Sequence, residues 1–486
     1  MRVLLIAPTP PACHWPQGVF FYSVVPTELA HCAALLGQHG HHVRLEQREI
    51  SLLRESFDWT KADARFEALL RKFSPELVVF FAPTATADEA FRLAGITRSV
   101  LGASANILLC GPHATALPEQ TLADCPSLDA VMIGEWEWTL LEAANNGLTP
   151  GITGLRCATV SQKGWVPRPA CTDLDSLPMP AWDLCDMDYI TNRHRWLIRW
   201  LPLRTINLRT SRGCPNACSF CAAPLTAGAG VRFHSVEYVT EMLARALQNY
   251  PVEAVLFEDE TFAADEARLR RLCETIQTRG WHRRLQWACC LRTDQACPDL
   301  LRTMKAAGCI QVEYGFETAS NTLLQAIGKN TTVEQNLAAA RHTREAGLRV
   351  YANIMFGLPG ETALDMRNTL NFIRAIRPEV ISASAMAPFP GTALFRDLSE
   401  AQKKRLQWGA YTYLDQFRSG FNPTAMSDAQ WRSKYLQVQK HFIKPLILRQ
   451  ILRDAGNDSS AVIQYWRKRW RRFCHRHPLK AWRLPV

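Results

Sequence analysis

No stretch of this 486-residue chain approaches the run of about 18 uninterrupted apolar residues that a membrane-spanning helix needs. The opening run Met1-Arg2-Val3-Leu4-Leu5-Ile6-Ala7 has a single basic residue and is too short for a secretion signal, so it reads as a first buried strand. The sixteen cysteines lack the even, repeated spacings of a disulfide framework, which points to reduced thiols and a cytoplasmic protein. No G-x-G-x-x-G follows the first strand, so the phosphate fingerprint of a dinucleotide-binding sheet is missing. From Gln464 to Val486 there is no acidic residue at all, and eight of the eleven net positive charges sit there. Interleaved with Tyr465, Trp466, Trp470, Phe473 and Trp482, that tail reads as a solvated terminal helix. Contact with an anionic lipid surface or an acidic partner is its other reading, and nucleic acid is not expected as a partner.

What the chain does contain is R-G-C-P-N-A-C-S-F-C-A-A-P from Arg212 to Pro224. This places Cys214, Cys218 and Cys221 at spacing C-x3-C-x2-C, with Phe220 before the last thiol. Four thiolates would close the coordination of a four-iron cluster, whereas three leave one iron open to an exogenous ligand. Zinc is the competing reading, but the nearest histidines, His194 and His234, stand in no zinc-ligand spacing.

The pattern resembles the C-x3-C-x-aromatic-C signature of the radical S-adenosylmethionine (SAM) enzymes. That resemblance implies a [4Fe-4S] cluster on the three cysteines, with SAM on the unique iron and a 5′-deoxyadenosyl radical as the reactive species. It also implies an electron donor such as flavodoxin or ferredoxin.

Strand-like runs recur at Val3 to Ala7, Val43 to Glu46, Leu77 to Ala82, Ile107 to Cys110 and Ala130 to Ile133. Helical stretches such as Thr27 to His39 and Thr60 to Phe73 separate them. Five strands alternating with helices form a doubly wound, Rossmann- or flavodoxin-like sheet over residues 1–150, with ligands expected beyond the carboxyl ends of its strands. The loops there carry Thr84 and Thr86, then G-P-H-A-T-A-L-P (Gly111, Pro112, His113), then G-E-W-E-W-T (Gly134, Glu135). The last two resemble the equivalent loops of the cobalamin-binding domain that precedes many radical SAM cores, and the resemblance implies that these seven residues contact a corrin. The D-x-H-x-x-G that supplies a histidine below cobalt is not present. Ala12-Cys13-His14-Trp15-Pro16-Gln17-Gly18 lacks the aspartate, so His14 reads as an ordinary loop residue.

Residues 151–200 read as a linker, in which Leu174 to Leu184 resembles the connector of the cobalamin group. From residue 201 to 398 a second strand and helix alternation runs through Ile206 to Leu208, Pro251 to Phe257, Leu285 to Cys289, Ile310 to Phe316, Arg349 to Phe356 and Ile381 to Met386. Six strands fit a partial (β/α)6 barrel of TIM type, with functional groups at the carboxyl ends. By the resemblance, Phe220, Glu258, Asp259, Arg292, Glu317, Gly357 and Glu361 contact SAM. Helix N-terminal acids and a tight turn would also account for Glu258, Asp259 and the glycines. Residues 399–486 read as helical and aromatic.

The family resembled is that of the cobalamin-binding radical SAM enzymes. The expected activity is methylation of an unactivated carbon of a small-molecule biosynthetic intermediate, using methylcobalamin and a SAM-derived radical. The two alternatives are a non-methylating oxidative cyclase of the magnesium-protoporphyrin ester type and a methylthiotransferase. The latter would place a second cluster on N-terminal thiols such as Cys13, Cys32, Cys110 and Cys125. Basic charge favours acidic substrates and the aromatic content tolerates flat or lipidic ones.

Overall fold

The computed structural model describes residues 1–10, 24–55, 58–149, 151–159, 166, 168–193, 197–199, 201–228, 230–411 and 421–445. His14, Cys13 and the basic tail lie outside the described residues.

The first sheet is built from β1 (Arg2–Ala7), β2 (His42–Gln47), β3 (Leu77–Phe81), β4 (Asn106–Cys110), β5 (Ala130–Met132) and β6 (Leu155–Cys157), in spatial order β2-β1-β3-β4-β5-β6. The first five are parallel, as buried runs such as LVVFF and NILLC demand when helices cover both faces. β6 pairs antiparallel with β5. It is a sixth strand where the sequence shows five, because three residues with one polar side chain outward carry too little pattern to read. Alternate side chains of β1 enter different cores: Val3 and Leu5 pack on one face, Leu4 and Ile6 on the other.

The second sheet is a half-barrel of six parallel strands. They are β7 (Thr205–Leu208), β10 (Ala254–Phe257), β11 (Gln286–Leu291), β12 (Cys309–Glu317), β13 (Arg349–Phe356) and β14 (Val380–Ala385), in order β14-β13-β12-β11-β10-β7. Between the first two lie the short antiparallel partners β8 (Ser211–Arg212) and β9 (Arg232–Phe233). Its outer face is buried under helices such as Val236–Asn249. There the Ser235 hydroxyl accepts the Tyr238 N–H at 3.0 Å as N-cap, and Val239, Met242, Leu243 and Ala246 form the apolar stripe. The amino-terminal mouth is plugged by Ile198, Leu201 and Leu203 against Ala254, Ala288 and Leu256.

The helix Asp428–Val438 lays Trp431, Tyr435 and Val438 onto the barrel core. Just beyond it, the Gln439 amide donates to the Ala383 carbonyl of the edge strand β14 at 3.2 Å. The segment thus covers an edge that would otherwise present unpaired backbone groups. Among the described residues no helix is long and apolar enough to cross a membrane.

Candidate functional site

The cysteine loop grows from the end of β7 and is pinched shut by the β8–β9 pair. Gly213 has φ +97, and a Cβ there would collide with the Gly230 carbonyl, so only glycine lets the two loop ends meet. The Cys221 N–H donates to the Cys218 carbonyl at 3.1 Å, folding both thiols into one turn, and the Ser219 N–H donates to the Ile327 carbonyl at 2.9 Å. Phe220 packs against Leu323, Ile327, Leu358 and Met386, so the aromatic of the motif anchors the loop to the far strands of the barrel.

Cys214, Cys218 and Cys221 are all half-buried. Burial pushes the Cys218 and Cys221 thiols up, and the nearby Lys329 ammonium pulls both back down. Among the described residues no three His, Cys, Asp or Glu side chains stand preassembled around a metal position. The donor chemistry nevertheless fits an iron-sulfur cluster: three partly exposed thiols on one braced loop, with Cys214 and Cys218 both acting electrostatically on Cys221.

Three acids follow β10, and Glu258 and Glu260 line open space while Asp259 does not. The Glu258 carboxylate accepts from the Asn207 amide at 2.8 Å, and burial pushes its pKa up to about 7. Asp259 does not fit a SAM contact. It is 1% exposed and its oxygens are taken by the Thr210 N–H at 3.1 and 3.2 Å, the Thr210 hydroxyl at 3.0 Å and the Ser211 hydroxyl. It is a tether on the turn that launches the cysteine loop.

At the other strand ends, Glu317 sits at φ +61 and accepts from Lys329 at 2.8 Å. Arg292 spans Asp294 at 3.1 Å and the Lys329 carbonyl at 3.0 Å, which brings Arg292, Glu317 and Lys329 beside Cys218. Lys329 was not identified from sequence; a lysine between Gly328 and Asn330 on a loop gives no periodic or motif signal. Gly357, at φ +83, donates its N–H to Glu361 at 2.5 Å. Glu361 is fully buried with its pKa pushed up to about 8, so it closes the turn after β13 and is not exposed toward a ligand.

A cavity of about 570 Å³ separates the two sheets. The carboxyl ends of the first sheet form one wall, through Thr86, Gly111, Pro112, Gly134 and Glu135. Ala222, Ala223 and Thr226 after the cysteine loop, with Arg209 and Glu258 of the barrel, form the other. Two residues read as corrin contacts are elsewhere. Thr84 is buried and does not line the cavity, and His113 is 0% exposed between Phe91 and Trp408, held neutral by burial with its pKa down to about 4. Glu135, though at the wall, is ion-paired to Arg232 at 2.6 Å and to Arg212 at 3.4 Å. Further ties cross the gap: Arg212 to Glu137 at 2.5 Å, Arg209 to Glu28 at 2.7 Å, and the Val25 N–H to the Asn207 side-chain Oδ1 at 2.7 Å. The sheets are thereby held with their strand ends facing each other.

This is the architecture of a radical SAM half-barrel preceded by a cofactor-binding Rossmann-like domain. Residues 208–373 match the family model of the radical SAM superfamily. An uncharacterized methyltransferase from Pyrococcus horikoshii is 30% identical over 424 residues, covering 85% of this chain and 87% of that protein. The anaerobic magnesium-protoporphyrin IX monomethyl ester cyclase of Cereibacter sphaeroides is 26% identical over 355 residues, 71% of this chain and 56% of that one. Among solved structures, the radical SAM methyltransferase TsrM from Kitasatospora setae, with cobalamin and a [4Fe-4S] cluster bound, superposes with a TM-score of 0.65. It has 19% identity and covers 82% of this chain and 75% of its own. The chain belongs to the family of the Pyrococcus methyltransferase and carries a radical SAM domain over residues 208–373. A radical SAM domain implies a [4Fe-4S] cluster and SAM, and cobalamin is bound by the structural neighbour TsrM.

Proposed function

We propose that this enzyme methylates an unactivated carbon of a small-molecule biosynthetic intermediate. The observation that carries the proposal is the shared cavity: the segment after the cysteine loop and the carboxyl ends of the first sheet line the same space. Cys214, Cys218 and Cys221 would hold the cluster. Arg292, Glu317 and Gly357 stand at the strand ends where SAM would lie, and Thr86, Gly111, Pro112 and Gly134 at the wall where a corrin would lie. When bound, these groups supply one-electron cleavage of SAM and a transferable methyl group.

The chain's own residues place and shield that chemistry. Asp259 fixes the root of the cysteine loop, Phe220 fixes its tip, and the Arg212 and Arg209 ion pairs hold the two walls in register. A small electron-transfer protein of the flavodoxin or ferredoxin kind would reduce the cluster.

A methylthiotransferase needs a second cluster on N-terminal thiols. Of the candidate thiols, Cys13 lies outside the described residues, and Cys32 and Cys110 are buried in the core on one face of the first sheet with Cys125 in the core on the other, which speaks against these three sharing one metal site. The cyclase relative supports a second reading, oxidative cyclisation without methyl transfer. Product counting separates the two. Reduced, reconstituted enzyme supplied with SAM should release S-adenosylhomocysteine as well as 5′-deoxyadenosine; 5′-deoxyadenosine alone would favour the cyclase.

A further inference from the structure

The half-barrel is apolar outside, while its inner face is apolar at Ala254, Leu256 and Ala288 and polar on the strands beyond. Parallel strands keep paired residues on one face, and the pairings Asn207 with Leu256, Cys290 with Glu313, Gly315 with Asn353, and Asn353 with Ser382 trace the inner surface. β12 shows the contrast within one strand: Val312, Tyr314 and Phe316 point into the outer core, while Gln311 and Glu313 point into the lumen. Asn207, Cys290, Glu313, Asn353 and Ser382 are inner-face residues, and all but the buried Asn207 are partly exposed, so the lumen is not packed solid. Among the described residues, Ile198, Leu201 and Leu203 pack at its amino-terminal mouth, and Glu258 and Arg209 stand at its carboxyl end on the interdomain cavity.

Two carboxylates and an unpartnered side-chain amide oxygen line this lumen. Glu313 receives the Gln311 amide at 3.3 Å and the Cys290 thiol at 3.9 Å, and Glu258 receives the Asn207 amide. Each carboxylate has room for about four donors. Gln311 is 0% exposed, and its carbonyl oxygen is buried without a partner. The Arg199 guanidinium, 5.9 Å from the Tyr351 ring, acts on Glu313, and Arg209 is engaged by Glu28. Burial pushes the Glu258 and Glu313 carboxyls up to about 7, outweighing the opposing pull of Arg209 on the first and Arg199 on the second.

We propose that the substrate carries a cationic amine or guanidine that enters the half-barrel lumen and is held by Glu258 and Glu313, with the Gln311 carbonyl oxygen as a further acceptor. The proposal rests on the radical SAM reading of the cavity above. It reverses the expectation from net charge, because eight of the eleven positive charges lie in the tail and not at this site. It also sets aside flat apolar substrates, which a lumen lined by glutamates, asparagine and serine would leave with unpaired polar groups.

The test is a thermal-shift comparison on reconstituted holoenzyme with millimolar spermidine, inorganic phosphate or protoporphyrin IX. A ligand bound only by the folded state raises Tm, and spermidine should raise it by at least about 2 °C. That rise should be lost in Glu313→Gln and in Glu258→Gln and kept in Glu345→Gln, an exposed acid on a barrel helix. If Glu313→Gln fails to fold, Glu258→Gln carries the comparison. An equal spermidine shift in the lumen variants, no shift at all, or stabilisation by phosphate or porphyrin that the lumen variants abolish would overturn the proposal. Reductive formation of 5′-deoxyadenosine from SAM is measured on the same wild-type sample. Its absence refutes the radical reading, whereas its presence without a spermidine shift refutes the amine pocket alone.

Discussion

The Arg212 guanidinium, two residues before the first motif cysteine, donates to the Glu137 carboxylate of the first domain at 2.5 Å. The side chains are 12% and 3% exposed, so the pair is a buried ion bridge whose second acid is Glu135 at 3.4 Å. Coupling the root of the cysteine loop to the first sheet in this way fixes how the two cofactor walls face.

Glu137→Ala leaves Arg212 with only the 3.4 Å contact to Glu135, which Arg232 also claims, so the loss should approach that of a broken buried pair, about 3 kcal/mol. Chemical denaturation of the purified protein checks it. A loss under about 1 kcal/mol would place the pair with ordinary surface salt bridges.

Asp259→Asn should leave the fold intact but weaken the tether on Thr210 and Ser211, since one amide oxygen replaces two carboxylate oxygens. Supports of metal loops typically alter metal retention by 10-fold or more, so about 10-fold faster iron loss to a chelator is expected. Wild-type retention would remove Asp259 from the account.

Glu361 makes stability depend on pH. Its folded pKa of about 8 lies above the ordinary carboxylate value, so the folded chain keeps a proton that the unfolded chain sheds. Its contribution is therefore complete below about pH 4.5 and is lost as pH rises toward 8, by at most about 1.4 kcal/mol per unit. Glu361→Gln still accepts the Gly357 N–H but does not titrate. The Tm advantage of the variant over wild type should grow between pH 6 and pH 8.5, and a constant difference would contradict the assignment.

Gly357→Ala meets two obstacles: φ of +83, and a Cβ 2.7 Å from the Trp431 ring. A cost of about 2 kcal/mol is expected, with faster proteolysis within residues 421–445 as the covering helix lifts. Unchanged cleavage would mean that the helix docks without Trp431.

The strand alternation, the six-stranded half-barrel and the cysteine loop were legible because each has a signal confined to adjacent residues. Buried parallel strands are continuous apolar runs, and the thiol spacing is local. Side-chain destinations were less legible. Glu258 and Asp259 are neighbours of one chemical type, yet strand alternation sends one toward the cavity and the other onto Thr210. His113 stands beside the cavity residue Pro112 but turns into an aromatic cluster completed by Trp408, nearly 300 residues later. Glu135 and Glu137 match the loop pattern, but their charge is spent on Arg212 and Arg232, contacts visible only once the domains are placed together.

The central claim is that one chain brings a cluster on Cys214, Cys218 and Cys221 and a corrin to opposite walls of a single cavity. The most direct measurement is the iron and cobalamin content of protein reconstituted anaerobically with iron, sulfide and hydroxocobalamin, read with its absorption spectrum. The account predicts about four irons and one cobalamin per chain, with the triple Cys→Ala variant losing the iron and keeping the corrin. About eight irons, no retained cobalamin, or iron unaffected by the triple substitution would contradict it.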